Sequence, residues 1–82
     1  MSQIARTPKQ LGAAIRRRRR QLRLSQAALG SRTNLRQATI SALENGEAGT
    51  QLGTLVDVLA ALGLELVVQE RSRASASIAD LF

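Results

Sequence analysis

A chain of 82 residues with no histidine and no cysteine has few routes to covalent chemistry. That absence removes thiolate nucleophiles, disulfides, zinc sites and imidazole general bases together. The six acidic residues stand singly, so no carboxylate pair is placed for acid–base work and no nucleophile–base arrangement appears. The sequence argues against an enzyme and calls for no cofactor and no metal. What remains is recognition chemistry, and two stretches carry it: "QATISALENG" from Gln37 to Gly46, and five consecutive arginines from Arg16 to Arg20.

On a helical wheel, residues 37–45 divide cleanly. Ile40 and Leu43 fall on one side; Gln37, Ala38, Ser41, Ala42 and Asn45 fall on the other. The second face is small and polar, and its amides and hydroxyl suit an approach to base edges in a major groove. A helix buried on all sides would not leave a whole face so trimmed.

The charge is asymmetric. The net value is +6, yet residues 1–46 hold ten lysines and arginines against Glu44 alone, while residues 47–82 are net acidic. A basic first half is the electrostatic footprint of a polyanion binder, although a short charge run is also compatible with a merely solvated face. Single-stranded or RNA partners fit less well, because the first 81 residues offer no aromatic ring for a base to stack on.

The elements that must hold these residues can be read from their punctuation. Thr7-Pro8 predicts a helix start, with Leu11, Ile15 and Leu22 on its inner stripe to about residue 22. Arg18 falls on that stripe and Arg19 at its edge, whereas Arg16, Arg17 and Arg20 point to water. At least one arginine therefore needs a snorkelled stem or an internal carboxylate. Ser25 caps a short second helix carrying Ala28 and Leu29 inward, and Asn34 suits the left-handed turn that ends it. A third helix over about 36–44 stops at Asn45-Gly46. Thr50 caps a fourth, with Leu52, Leu55, Val56, Leu59 and Leu62 as its apolar stripe up to Gly63.

"LELVVQ", residues 64–69, reads as a short strand, with an extension of helix 4 as the alternative. A lone strand leaves its backbone groups unpaired, and no second strand pattern exists here. Its partner is expected to be a second copy, with Leu64, Leu66, Val67 and Val68 at the dimer seam beside apolar residues of helix 4. The expected fold is thus all-α with one short C-terminal strand: four helices over residues 1–69, then a mobile polar tail over 70–82. Ile78, Leu81 and Phe82 lie at i, i+3, i+4 in that tail and form a candidate partner-binding anchor. No run approaches the ~18 residues of a membrane span and no signal pattern opens the chain, so a cytoplasmic location is expected.

Residues 11–46, "LGAAIRRRRRQLRLSQAALGSRTNLRQATISALENG", resemble the Xre/Cro-type helix-turn-helix family of repressors, with a likeness extending to about residue 63. A fourth helix followed directly by "LELVVQ" and a polar tail resembles HipB-type antitoxins, the DNA-binding partners of HipA-type kinase toxins. The resemblance implies a lambda-repressor-like bundle that dimerises through the strand and binds double-stranded operator DNA and a HipA-like kinase. It places Gln26 at a phosphate contact that braces the third helix, and Gln37 at a base or phosphate contact beside Arg36. Ala38 would meet a thymine methyl, Thr39 and Ser41 would lie near the groove wall, and Asn45 would contact phosphate. Ser25 and Arg20 complete the expected DNA-binding set, with Arg16, Arg17 and Arg23 adding to the field. Arg19 and Glu44 match a pair that bridges helix 1 to the end of helix 3. Three departures, Gly30, Thr33 and Asn34, are expected to loosen the turn. The alternative reading is a stand-alone phage-type repressor without a toxin partner; a basic protein–protein adaptor is a third.

Overall fold

The computed structural model describes residues 3–47 and 49–71. Four helices follow in order: α1 Pro8–Gln21, α2 Gln26–Thr33, α3 Gln37–Glu44 and α4 Leu52–Ala61. The starts of the first two are set by side chains. Thr7 accepts the Gln10 N–H in α1, with Pro8 in the first turn, and Ser25 accepts the Ala28 N–H in α2. The fourth start differs from expectation. Gln51, not Thr50, is the N-cap, and it makes no side-chain capping bond.

All four helices end in the same way. A residue at positive φ turns the chain, its own N–H reaches back three residues, and the next N–H reaches back five. In α1 the turning residue is Arg23 (φ 58°), with Leu24 N–H donating to Arg19 O at 3.1 Å. In α2 it is Asn34 (φ 58°), and Leu35 N–H reaches Gly30 O at 2.8 Å. In α3 and α4 Gly46 (φ 76°) and Gly63 (φ 70°) serve, with Glu47 N–H on Ala42 O and Leu64 N–H on Leu59 O. Helix carbonyls that would otherwise be orphaned are thereby satisfied, and each helix stops within two residues of its turn.

The core between the helices is Ile15, Leu29, Ile40, Leu43, Val58, Leu59 and Leu62, with Leu11, Leu24, Leu35, Leu55, Ala61 and Leu64 packed around it. Helix α3 packs on α1 and α2, and α4 packs on α2. Three sequence expectations need correction here. Val58 is fully buried although it lay off the expected stripe, while Leu52 and Val56, placed on that stripe, face outward. Leu22 is also 40% exposed. A stripe of five apolar residues spans more than the width of α4 that its neighbours cover, so part of it stays uncovered in the single chain.

Residues 64–71 continue beyond α4 outside any regular element, and no strand occurs among the described residues. The alternative of a longer fourth helix fails, because Gly63 turns the chain out of helical conformation. A strand ladder over 64–69 finds no pairing strand among the described residues, so a strand there requires a second copy. Leu64 packs on its own core, while Leu66, Val67 and Val68 are 51%, 67% and 93% exposed. The expected anchor Ile78, Leu81 and Phe82 lies outside the described residues. Among the described residues no helix is long and apolar enough to cross a membrane.

Candidate nucleic-acid interface

Helices α2 and α3 are joined by the turn at Asn34, and the turn is tight because Gly30 has no side chain. A Cβ at Gly30 would lie 2.6 Å from the Leu35 carbonyl oxygen, closer than real Cβ atoms come. The three residues expected to loosen the turn instead fit it. Gly30 permits the close approach, Asn34 takes the left-handed conformation, and Thr33 donates its hydroxyl to Leu29 O at 2.8 Å. A hydroxyl at position 33 is therefore satisfied by the backbone of its own helix rather than left unpaired.

The register of α3 follows from what it buries. Ile40, Leu43 and Glu44 face inward, leaving Gln37, Ala38 and Asn45 exposed and Thr39, Ser41 and Ala42 half-buried. The small polar face expected from the helical wheel is thus on the surface. Arg36 precedes it as an exposed N-cap residue that makes no side-chain capping bond, so among the described residues the start of α3 is left without a side-chain cap. Ser25 and Arg20 are exposed as well, and Gln26 is half-buried.

Beneath this face sits one carboxylate. Glu44 is 3% exposed and Arg19 is 8% exposed. Arg19 donates Nε–H to Glu44 Oε2 at 2.6 Å and Nη2–H to Oε1 at 2.9 Å, a two-pronged contact, and gives Nη1–H to Leu24 O at 2.8 Å. Of the two expected ways to accommodate an inward arginine, a snorkelled stem or an internal carboxylate, Arg19 takes the second, and the carboxylate is Glu44. Burial pushes the Glu44 carboxyl up, but hydrogen bonds from Arg19, Gln26 and Arg16, with the Arg19 charge, outweigh it and hold the group below its ordinary value. The Glu44 hydrogen bond raises Arg19 above its already high value, against the opposing effect of burial.

Two further donors converge on Glu44 Oε1, each at 3.2 Å: Gln26 Nε2 from the start of α2, and Arg16 Nε from α1. Arg16 was expected to point to water. It is half-buried instead, and its Nη2–H also donates to Asn45 Oδ1 at 3.0 Å. Asn45 itself is exposed, so this contact lies at the surface. A helical wheel gives only the direction of Cβ, and an arginine stem is long enough to run back across its neighbour. Arg17 and Arg20 are exposed as expected, and with Lys9, Arg16 and Asn45 they line an open groove between α1 and the end of α3. Arg18 was placed on the inner stripe and finds a backbone partner there, donating Nε–H to Leu62 O at 2.9 Å. Of these contacts, the Arg19–Glu44 pair and the brace from Gln26 to the third helix were implied by the family resemblance; the Arg16 contacts and the Leu62 partner of Arg18 were not.

The geometry has known counterparts. The helix-turn-helix family model matches residues 15–69. A chain of the solved HipA–HipB–O2–O3 complex is 31% identical, with a TM-score of 0.78 over 87% of this chain and all of that one. A serine-to-alanine variant of HipB in complex with an O2 20-mer gives 32% identity and a TM-score of 0.80 over 88% of this chain and all of that one. The HipB–O4 20-mer complex gives 31% and 0.79, over 87% and 100%. No match was found among curated protein sequences. A match to the family model over more than half the chain, joined to end-to-end coverage of HipB at above 30% identity, makes this chain a member of the Xre-type helix-turn-helix family, of the HipB kind.

Proposed function

We propose that the chain is a homodimeric, sequence-specific repressor of double-stranded DNA that acts as the antitoxin of a HipA-like kinase toxin and represses its own operon. The observation that carries this reading is the exposed face of α3, whose backbone is fixed from below by Glu44. Gln37 and Ala38 would meet base edges, with Thr39 and Ser41 along the groove wall. Ser25, Gln26, Arg20, Arg36 and Asn45 would contact phosphates on either side, aided by the uncapped start of α3. The HipB complexes with O2 and O4 20-mers support the DNA half of the reading, and the HipA–HipB–O2–O3 complex supports the kinase half. A non-enzymatic regulator acting in the cytoplasm is consistent with both.

Dimerisation would use Leu66, Val67 and Val68, with Leu64 at the inner end, paired antiparallel with a second copy. Two recognition helices would then face one side of the duplex, one helical turn (~34 Å) or a multiple of it apart. The tail anchor Ile78, Leu81 and Phe82 would dock on the toxin.

The test uses the full chain against a duplex from upstream of its own gene and a scrambled duplex of equal length. If the dimer neutralises ~6–10 phosphates, affinity should fall by ~10³–10⁵ between 50 and 200 mM salt, with the upstream duplex preferred throughout. Equal affinity for both duplexes would defeat the repressor reading. Co-purification with an adjacent kinase-like gene product separates the antitoxin from the stand-alone repressor, which would capture none.

A further inference from the structure

Two neighbouring arginines of α1 hold the ends of two different helices. Arg19 holds Glu44, and so the end of α3, through bonds of 2.6 and 2.9 Å. Arg18, one residue earlier, donates to the carbonyl of Leu62, the cap residue of α4. The carbonyls of Val58, Leu59 and Ala60 are already taken by the returning N–H groups of Leu62, Leu64 and Gly63. The Leu62 oxygen is thus among the last free acceptors of α4, at the negative end of the helix, where a guanidinium binds well. The Arg18 Nη2 atom also lies against Gly63, 3.5 Å from where a Cβ would stand. The cation therefore sits at the bend where the chain leaves α4 for residues 64–69.

This placement matters because of what packs on what. Helix α3 is held by α1 and α2, but α4 packs chiefly on α2. The Arg18 bond is a direct polar tie from the rigid unit of α1 and α3 to the exit of the fourth helix. We infer that Arg18 is a positioning residue that fixes the direction of the 64–69 segment relative to α3, and thereby sets the separation of the two recognition helices in the dimer. The inference rests on the dimeric DNA-reading function proposed above. In each protomer the path from α3 to the dimer axis runs through Glu44, Arg19, Arg18 and Leu62. With the Arg18 link cut, the seam still pairs, but the two recognition helices sample a range of separations.

The absence of cysteine permits a direct measurement. Ser31→Cys, at an exposed position on α2 outside the proposed DNA contacts, accepts one spin label per protomer in the full-length chain. Dipolar spectroscopy then reads the label-to-label distance in the dimer. The otherwise unaltered chain should give one narrow peak. Arg18→Gln should lose that peak to a broad distribution while sedimentation still reports a dimer, and Arg18→Lys, which keeps the cation and its stem, should largely restore it. Ile40→Val serves as the control: it weakens the core without touching the link and should leave the peak narrow. If Arg18→Gln does not fold, Arg18→Met, which keeps an apolar stem but no donor, is read in its place and should be broader than the parent. Selection from a pool of random duplexes should show the matching effect, with unchanged half-sites and a loss of spacing preference in Arg18→Gln. A peak as narrow in Arg18→Gln, or in the variant that stands in for it, as in the parent overturns the inference and leaves the dimer standing. Equal broadening in Ile40→Val also overturns it, since the width would then report stability alone. Absence of dipolar coupling in the parent removes the dimer itself, and the inference with it.

Discussion

Replacing Glu44 by alanine tests the centre of the molecule. The substitution removes the acceptor of four hydrogen bonds, two from Arg19 and one each from Arg16 and Gln26. It leaves the Arg19 guanidinium buried without its counter-charge. Breaking a buried pair from one side costs about 3–5 kcal/mol. Arg19 retains the Leu24 carbonyl, and Arg16 can turn to water, so the lower figure of about 3 kcal/mol applies. A domain of this size has on the order of 5 kcal/mol in total, which the substitution would more than halve. In a thermal melt that is a fall of roughly 12–24 °C. Glu44→Gln keeps the shape but faces Arg19 donors with an N–H group, and should lose most of the same stability. The pH dependence supplies an independent check. The folded-state pKa of Glu44 lies below its ordinary value, so its stabilisation is present above about pH 4.3 and is lost as pH falls through the folded value. The gap in melting temperature between the parent and Glu44→Gln should therefore narrow on acidification below that point. A Glu44→Ala protein melting within ~2 °C of the parent at pH 7 would refute the reasoning, because a shift that small corresponds to well under 1 kcal/mol.

Other substitutions separate reading from holding. Gln37→Ala should cost about 1–3 kcal/mol of specific binding and relax preference at one base pair per half-site, whereas Arg20→Ala should weaken all sequences alike and flatten the salt slope; competition titrations against random duplex distinguish the two. Val67→Pro removes a ladder donor and should weaken dimer and DNA binding together, as read by sedimentation and mobility shift. Gly12→Ala drives a methyl to within 2.6 Å of the Glu44 carbonyl oxygen, which forces α1 off α3 and should cost about 1–3 kcal/mol in a denaturant titration. Deleting residues 74–82 should leave DNA binding intact and weaken binding of the kinase toxin by calorimetry.

Much of this architecture was legible because its signals are local. Thr7-Pro8, Ser25, Asn34 and Asn45-Gly46 each act on the backbone within a few residues, and all four sit where the helices start or stop. The face of α3 was legible for the same reason, since one helix fixes its own periodicity. What escaped depends on distance or on the backbone. Val58 is fully buried in a core shared with the other helices, and what those helices cover is not announced by any pattern within α4. The partner of Arg18 is a carbonyl, and every residue has one, so nothing in the sequence singles out Leu62. Arg16 departed from the wheel because its reach exceeds the width of the helix it stands on. Residue type favours Thr50 as a cap, but the N-cap falls one residue later, at Gln51, and the helix begins at Leu52.

One carboxylate accepting from Arg16 and Arg19 on α1 and from Gln26 on α2, while anchored on α3, has a consequence for motion. None of the three helices can lift away alone without stripping hydrogen bonds from a buried charge. They should open as a single cooperative unit, so that amide protons of α3 exchange at the rate of global unfolding even though one side of that helix is wet. A surface held this stiffly meets its partner with little conformational entropy left to lose, and its selectivity is then set by fit rather than by adaptation.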